Sequence, residues 1–236
     1  MTRRLTTKLL AAASALMLLQ SCAATPEQQA DLAKQQTQEK ERAGPQLIAY
    51  ADGVHSEATK RDLGISSLEV NVNVRGDIAE TTVTVAFENP SNNILEGQFA
   101  LNMARGAVVT GYALDINGQL IDGVLETKYK AAEAYQRRVN VRIDPGVAEV
   151  DYSDRFETRI YPIPANGSRI IRLRMVSLFD PASGYSLPLS VGDKVKHFKL
   201  NIDGDTRITA LPEGLPSTGK AIEAEAVSLK GPLRLA

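Results

Sequence analysis

Two runs past the middle of the chain set the pattern for the rest. Thr158 and Ile160 alternate with Glu157 and Arg159, and Ile171, Leu173 and Met175 alternate with Arg172 and Arg174. A period of two marks a strand with one buried and one solvated face. Between the runs, Pro162-Ile163-Pro164-Ala165-Asn166-Gly167-Ser168 carries prolines that withhold ladder donors and an Asn-Gly pair that accepts positive φ, so the chain reverses there. The pattern predicts an antiparallel hairpin over residues 155–176. Such a unit is marginal alone and needs further strands to cover its apolar face.

The upstream sequence supplies them. Leu68, Val70, Val72 and Val74 alternate with Glu69, Asn71, Asn73 and Arg75; Gly76-Asp77 turns the chain; Val83, Val85 and Phe87 then oppose Glu80, Thr82 and Thr84. That is a second hairpin. Residues 46–63 hold Leu47, Ile48 and Tyr50 without a sustained pattern and read as an irregular lead-in with at most one short strand. After the loop-forming Asn89-Pro90-Ser91-Asn92-Asn93, Phe99 and Leu101 resume the alternation, residues 108–116 form another strand, and Asn117-Gly118 is a hairpin turn into residues 120–124.

Residues 125–138 change period. Tyr129, Ala132 and Tyr135 recur at helical spacing among Lys128, Lys130, Glu133 and Gln136, which predicts one amphipathic helix lying on a sheet. Asp144-Pro145-Gly146 breaks the chain, and residues 147–152 read as a short strand. Later, residues 186–189, 195–202 and 221–229 alternate, and either extend the same sheets or begin a second small β unit. The close on Leu233-Arg234-Leu235-Ala236 reads as an edge strand or as a chain cut short of a larger protein. Together these pieces predict a mainly β, two-layer antiparallel sandwich crossed by one short helix, with extra C-terminal strands.

The first residues are an address. Arg3, Arg4 and Lys8 precede the unbroken apolar run 9–19, the layout of a secretory signal too short to span a bilayer comfortably. Leu19-Gln20-Ser21-Cys22 resembles the lipobox of bacterial lipoproteins, in which cleavage leaves the cysteine first and acylated. That resemblance implies a lipid anchor on Cys22, since each buried methylene contributes about 0.8 kcal/mol. With Ala23 next, it also implies sorting to the outer membrane. The alternative is an ordinary signal end with an incidental thiol. Residues 25–42 are rich in Gln, Glu, Lys and Ala and have Leu32 as their one large apolar residue, so they serve as a polar spacer, a frayed helix or a flexible tether. The resulting division is a signal peptide over 1–21, anchor and spacer over 22–45, a β domain over 46–178 and additional strands over 179–236.

Composition narrows the function classes. Hydrophobic content of 43% supports a true core, and a net charge of −1 invites no nucleic acid by charge alone. Aromatics at 5% without Trp argue against a base-stacking or sugar-stacking platform. A single cysteine allows neither an internal disulfide nor a cysteine-built zinc site. His55 and His197 are the candidate neutral-pH bases, but no nucleophile motif accompanies them. Asp151, Asp154 and Glu157 cluster in sequence, yet strand geometry sends Asp151 and Glu157 to opposite faces and leaves Asp154 near a corner, which does not make an acid–base dyad. Asn166-Gly167-Ser168 fits a glycosylation sequon that a turn explains fully. The reading assigns no catalytic residue, no cofactor and no metal site.

Three separated pieces carry a further resemblance. They are Phe87-Glu88-Asn89-Pro90; Gly118 with Val124, Lys128, Ala131 and Tyr135; and Phe156 through Ile163-Pro164-Ala165-Asn166-Gly167 to Leu173. In order and spacing, residues 68–176 resemble the VIT (vault protein inter-alpha-trypsin) domain. In that family a von Willebrand factor A domain often follows and binds a divalent cation through Asp-x-Ser-x-Ser; the nearest string here, Asp151-Tyr152-Ser153-Asp154-Arg155, lacks the second Ser. The order of anchor, spacer and VIT-like sandwich, with no reactive constellation among the residues, points to a noncatalytic interaction module. The anchor implies an envelope protein whose partners are the membrane, through Cys22, and another protein. Two alternatives are the N-terminal part of a VIT and von Willebrand A adhesin, and an envelope hydrolase with an unrecognised site.

Overall fold

The computed structural model describes residues 44–51, 55–126, 147–150, 154–179, 182, 184–216 and 219–236, and among these the regular elements are all strands. The first are β1 (Gln46–Ala51), β2 (Lys60–Asp62), β3 (Gly64–Arg75) and β4 (Ile78–Asn89). Then come β5 (Leu95–Asn102), β6 (Val108–Ile116), β7 (Gln119–Asp122), β8 (Val124–Glu126) and β9 (Val147–Val150). The central runs are β10 (Arg155–Ile163) and β11 (Gly167–Leu178). The chain continues through β12 (Tyr185–Pro188), β13 (Val195–Gly204), β14 (Ile208–Ala210), β15 (Ala221–Val227) and β16 (Pro232–Leu235).

The strands form three sheets. One has the order β2-β1-β5-β10-β9-β8, a second β15-β13-β3-β4-β11-β6-β7, and a third β12-β16-β14. The alternation read from the sequence decides what each strand turns inward. Val70, Val83, Leu173 and Tyr112 of the seven-stranded sheet are buried, as are Leu47, Phe99, Phe156 and Ile160 of the six-stranded one. They meet in one core, where Phe87 lies edge-on to Phe99 at 6.0 Å between ring centres and Tyr112 tilts over Phe156 at 5.5 Å. Burying each such side chain contributes about 1.5–3 kcal/mol. The predicted β3–β4 and β6–β7 hairpins form, with Arg75 opposite Ile78 and Ile116 opposite Gln119.

The predicted hairpin over 155–176 does not form. β10 pairs with β5 and β9, whereas β11 pairs with β4 and β6, so the corner carries the chain from one sheet to the other. Period-two alternation selects a strand's inner face, and that face is satisfied equally by a neighbour beside it or by a sheet stacked across the core. Pro162 and Pro164 remove donors where side-by-side pairing would have to begin.

Other differences have equally local causes. The lead-in holds two strands, and β1 is interior, with Leu47 and Ala49 fully buried; Ile48 and Tyr50 on its other face hide the alternation. Residues 120–124 are not one strand: β7 ends at Asp122, Gly123 donates its N–H to the Tyr112 carbonyl at 2.8 Å, and β8 joins the other sheet, parallel to β9. The predicted helix lies outside the described residues, except that Leu125 and Glu126 belong to β8. The predicted leader, Cys22 and most of the predicted spacer lie outside them too.

The C-terminal strands divide between both expectations. β13 adds to the seven-stranded sheet parallel to β3, with β15 on its far side, while β12, β16 and β14 form the third sheet. β16 is the middle strand there, not an edge. The Tyr185 hydroxyl and Thr81 Oγ1, 2.7 Å apart, tie this sheet to the inner face of β4.

Candidate interaction surface

The corner between β10 and β11 is held by two buried polar side chains. Asn89, the last residue of β4 and 1% exposed, donates through Nδ2 to the carbonyls of Asn93 and Pro164, each at 2.9 Å, with the Ile163 carbonyl at 3.5 Å. Its Oδ1 accepts from the Ser91 backbone N–H at 3.0 Å and from Ser91 Oγ at 2.7 Å. Arg169, on β11 and 8% exposed, donates through Nε to the Pro162 carbonyl at 2.7 Å and through Nη1 to the Asp115 carbonyl at 2.8 Å; the Asp115 carboxylate lies 4.0 Å away. Buried polar groups are stable when satisfied in this way. Asn166 closes the network, its N–H on the Ser91 carbonyl and its Nδ2 on Asn92 Oδ1, both at 2.9 Å.

The other end of the same two strands is apolar and open. Ile78 begins β4 opposite Leu178, the end of β11, and Val176 stands opposite Val108 of β6. These positions share the outer face of the seven-stranded sheet, where Leu178 is 80% exposed, Val108 66% and Ile78 44%. Large aliphatics gathered on one exposed face are a feature of contact surfaces.

Two of the sheet edges, β2 and β15, are guarded by comparison. β2 is three residues, Lys60-Arg61-Asp62, all exposed. β15 carries Glu223 and Glu225, paired with Lys199 at 2.9 Å and His197 at 2.6 Å, and Ala226 at φ 52° bends it. Short, charged and bent edges resist the addition of another strand.

The remaining candidate residues are dispersed. His55 lies in the β1–β2 connection, 3.3 Å from Glu96 through Nε2 and tilted over Tyr50 at 4.4 Å between ring centres, while His197 is on β13 in the other large sheet. Asp154, at φ 55°, accepts the Gly106 N–H at 2.8 Å through Oδ1, and Glu157 pairs with Arg155 at 2.6 Å; Asp151 is outside the described residues. Asp154 and Glu157 thus have separate structural partners. No group of three or more His, Cys, Asp or Glu converges among the described residues.

The family model for the vault protein inter-alpha-trypsin domain matches residues 65–175. Residues 65–175 are a VIT domain. Inter alpha-trypsin inhibitor heavy chain 4 of Mus musculus is 28% identical over 164 residues, which cover 67% of this chain and 17% of that protein. Heavy chain H4 of Homo sapiens is 26% identical over 61% of this chain and 16% of its own length; heavy chain H3 of Bos taurus is 26% identical over 59% and 16%. The chain therefore matches about a sixth of the length of these curated relatives.

The structure shows what two pieces of the VIT signature do. Asn89, of Phe87-Glu88-Asn89-Pro90, grips the carbonyl of Pro164, of Pro164-Ala165-Asn166-Gly167, so the separated motifs are the two sides of one clasp. Sequence reading missed Arg169 as its second member; a charged residue among inward positions of β11 was the available signal. It also missed the aliphatic face, although Met175-Val176 and Val108-Val109 break strict alternation. The VIT match stops short of β1, β13 and β15, yet these strands pair directly with β5 and β3 or with their neighbours.

Proposed function

We propose that this chain is a noncatalytic interaction module of the bacterial cell envelope, moored through lipid on Cys22 and binding a protein partner through the face bearing Ile78, Val108, Val176 and Leu178. The exposed aliphatic cluster is the observation that carries the recognition half of this reading, because such side chains in solvent contribute little to folding and much to association when covered. The anchoring half rests on the basic start, the apolar run and Cys22 at its end. The outer membrane is the destination implied by Ala23.

The decisive experiment expresses the full chain with Leu178→Asp and Val108→Ser and compares its membrane co-purification with the parent and with Cys22→Ser. The face variant is expected to stay membrane-bound and lose the protein partner, and Cys22→Ser to leave the membrane fraction. A partner retained by the folded face variant would sink the recognition assignment. Intact mass of the membrane-extracted product tests the anchor: an unacylated Cys22, or its loss with the leader, would sink that half.

A second reading is favoured by the relatives' length, of which this chain matches 17% at most among those named. In it the VIT domain is the N-terminal part of a longer protein with a von Willebrand A domain. Reading the coding frame past Ala236 distinguishes the two.

A further inference from the structure

Two Asn-Gly pairs stand at turns of this chain, and the structure treats them differently. Asn117-Gly118 is the two-residue loop joining β6 to β7, with φ of 54° and 82°, both residues exposed. The Asn117 side chain has no hydrogen bond among the described residues. β7 is a four-residue edge strand whose one ladder neighbour is β6. At Asn166-Gly167, in contrast, both the backbone N–H and the side-chain amide of Asn166 are hydrogen-bonded. Gly167 sits so close to Pro164 that a Cβ there would meet Pro164 Cγ at 2.7 Å. The clasp of Asn89 and Arg169 holds the surrounding corner.

An asparagine before glycine can cyclise. The glycine nitrogen gives its proton to hydroxide and attacks the asparagine Cγ; the new C–N bond forms, the bond to the side-chain nitrogen breaks, and that nitrogen takes a proton from water and leaves as ammonia, which restores the hydroxide. Water then opens the five-membered imide to aspartate or to its β-linked isomer. Nothing is oxidised or reduced. Ring closure needs a backbone conformation other than the left-handed turn that Asn117 and Asn166 hold at φ 54° and 49°, so each site reacts through a local opening.

We propose that Asn117 is a spontaneous deamidation site of this protein and that Asn166, with the same neighbour, is a protected one. Tips of short edge hairpins open at low free energy, whereas a segment tied to the core opens only with larger parts of the structure. Conversion places a carboxylate on the tip of a hairpin whose other acids already have cationic neighbours, Asp115 4.0 Å from Arg169 and Asp122 3.4 Å from Arg174. The β-linked product lengthens the backbone of a loop whose two-residue length sets Ile116 opposite Gln119.

The test incubates the full chain in mildly alkaline buffer, native and in urea, and follows both sites by peptide mass mapping with separation of the two aspartyl isomers. Unfolded, the sites should convert at similar rates, since each is followed by glycine. Folded, Asn117 is expected to convert about tenfold faster than Asn166 or more, the ratio that differing local opening produces. A native ratio equal to the unfolded one, faster conversion at Asn166, or no conversion at Asn117 on the timescale of the unfolded control would each overturn the proposal.

Discussion

β4 and β11 run side by side from the clasped corner to the open aliphatic face, so the two regions are opposite ends of the same pair of strands. At Asn89 and Arg169 the chain buries polar groups and satisfies them with neighbouring carbonyls. At Ile78 and Leu178 it leaves apolar groups in water. The difference separates two uses of a strand end. The corner fixes where one sheet hands the chain to the other, and the register it starts, Gly167 opposite Asn89, is what sets Leu178 opposite Ile78 eleven positions on. One end determines structure, and the other is left available for contact.

The largest expected effect is at the clasp. Asn89→Asp removes the donors to Pro164 and Asn93 and places an anion among carbonyl oxygens, so urea unfolding should show a loss of about 4 kcal/mol. A loss under about 1 kcal/mol would mean that the corner holds without it. Arg169→Leu leaves the Pro162 and Asp115 carbonyls without these donors and should cost about 2–3 kcal/mol in the same assay.

An intermediate effect is expected beneath the open end, where Tyr185 meets Thr81 on the inner face. Burial holds the Tyr185 phenol above its usual range, with the Thr81 hydrogen bond pulling the other way. The folded protein therefore keeps this proton to higher pH than the unfolded chain. Its contribution is full below the ordinary phenol pKa of about 10 and is lost as pH rises through the folded value. Tyr185→Phe should cost about 1 kcal/mol at neutral pH and flatten part of the alkaline decline in melting temperature. An unchanged alkaline decline would assign it to other groups.

The smallest stability effect is expected where the binding effect should be greatest. Leu178→Ser and Val108→Ser should each change stability by less than about 0.5 kcal/mol, because both side chains are mostly in solvent. A loss of more than about 1.5 kcal/mol from either would show that this face supports the fold, and would erase the contrast with the clasp.

Much of the candidate site was legible as residues and little of it as geometry. Asn89, Pro164 and Asn166 stand out in the sequence as loop formers, but a loop-forming asparagine is the same whether its amide faces water or grips a chain 75 residues away. Arg169 sits in a run of inward positions that otherwise read as apolar, and a charge there finds its partners only in three dimensions. Ile78 and Leu178 lie at strand ends, where the outward position carries no polar requirement that a pattern would reveal.

From its sequence alone the chain determined which segments are strands over β3, β4, β6 and β11, which of their side chains turn inward, and where Gly76-Asp77 and Asn117-Gly118 reverse it. Those outcomes depend on local backbone preference and on a two-residue period, both written within a few positions. The tertiary structure decided the rest: that β10 and β11 face each other across the core instead of pairing, that β1 is interior, and that β13 joins β3 in parallel from about 130 residues further on. Inward side chains can be covered from the side or from above, and only the packing of all the sheets together selects between the two.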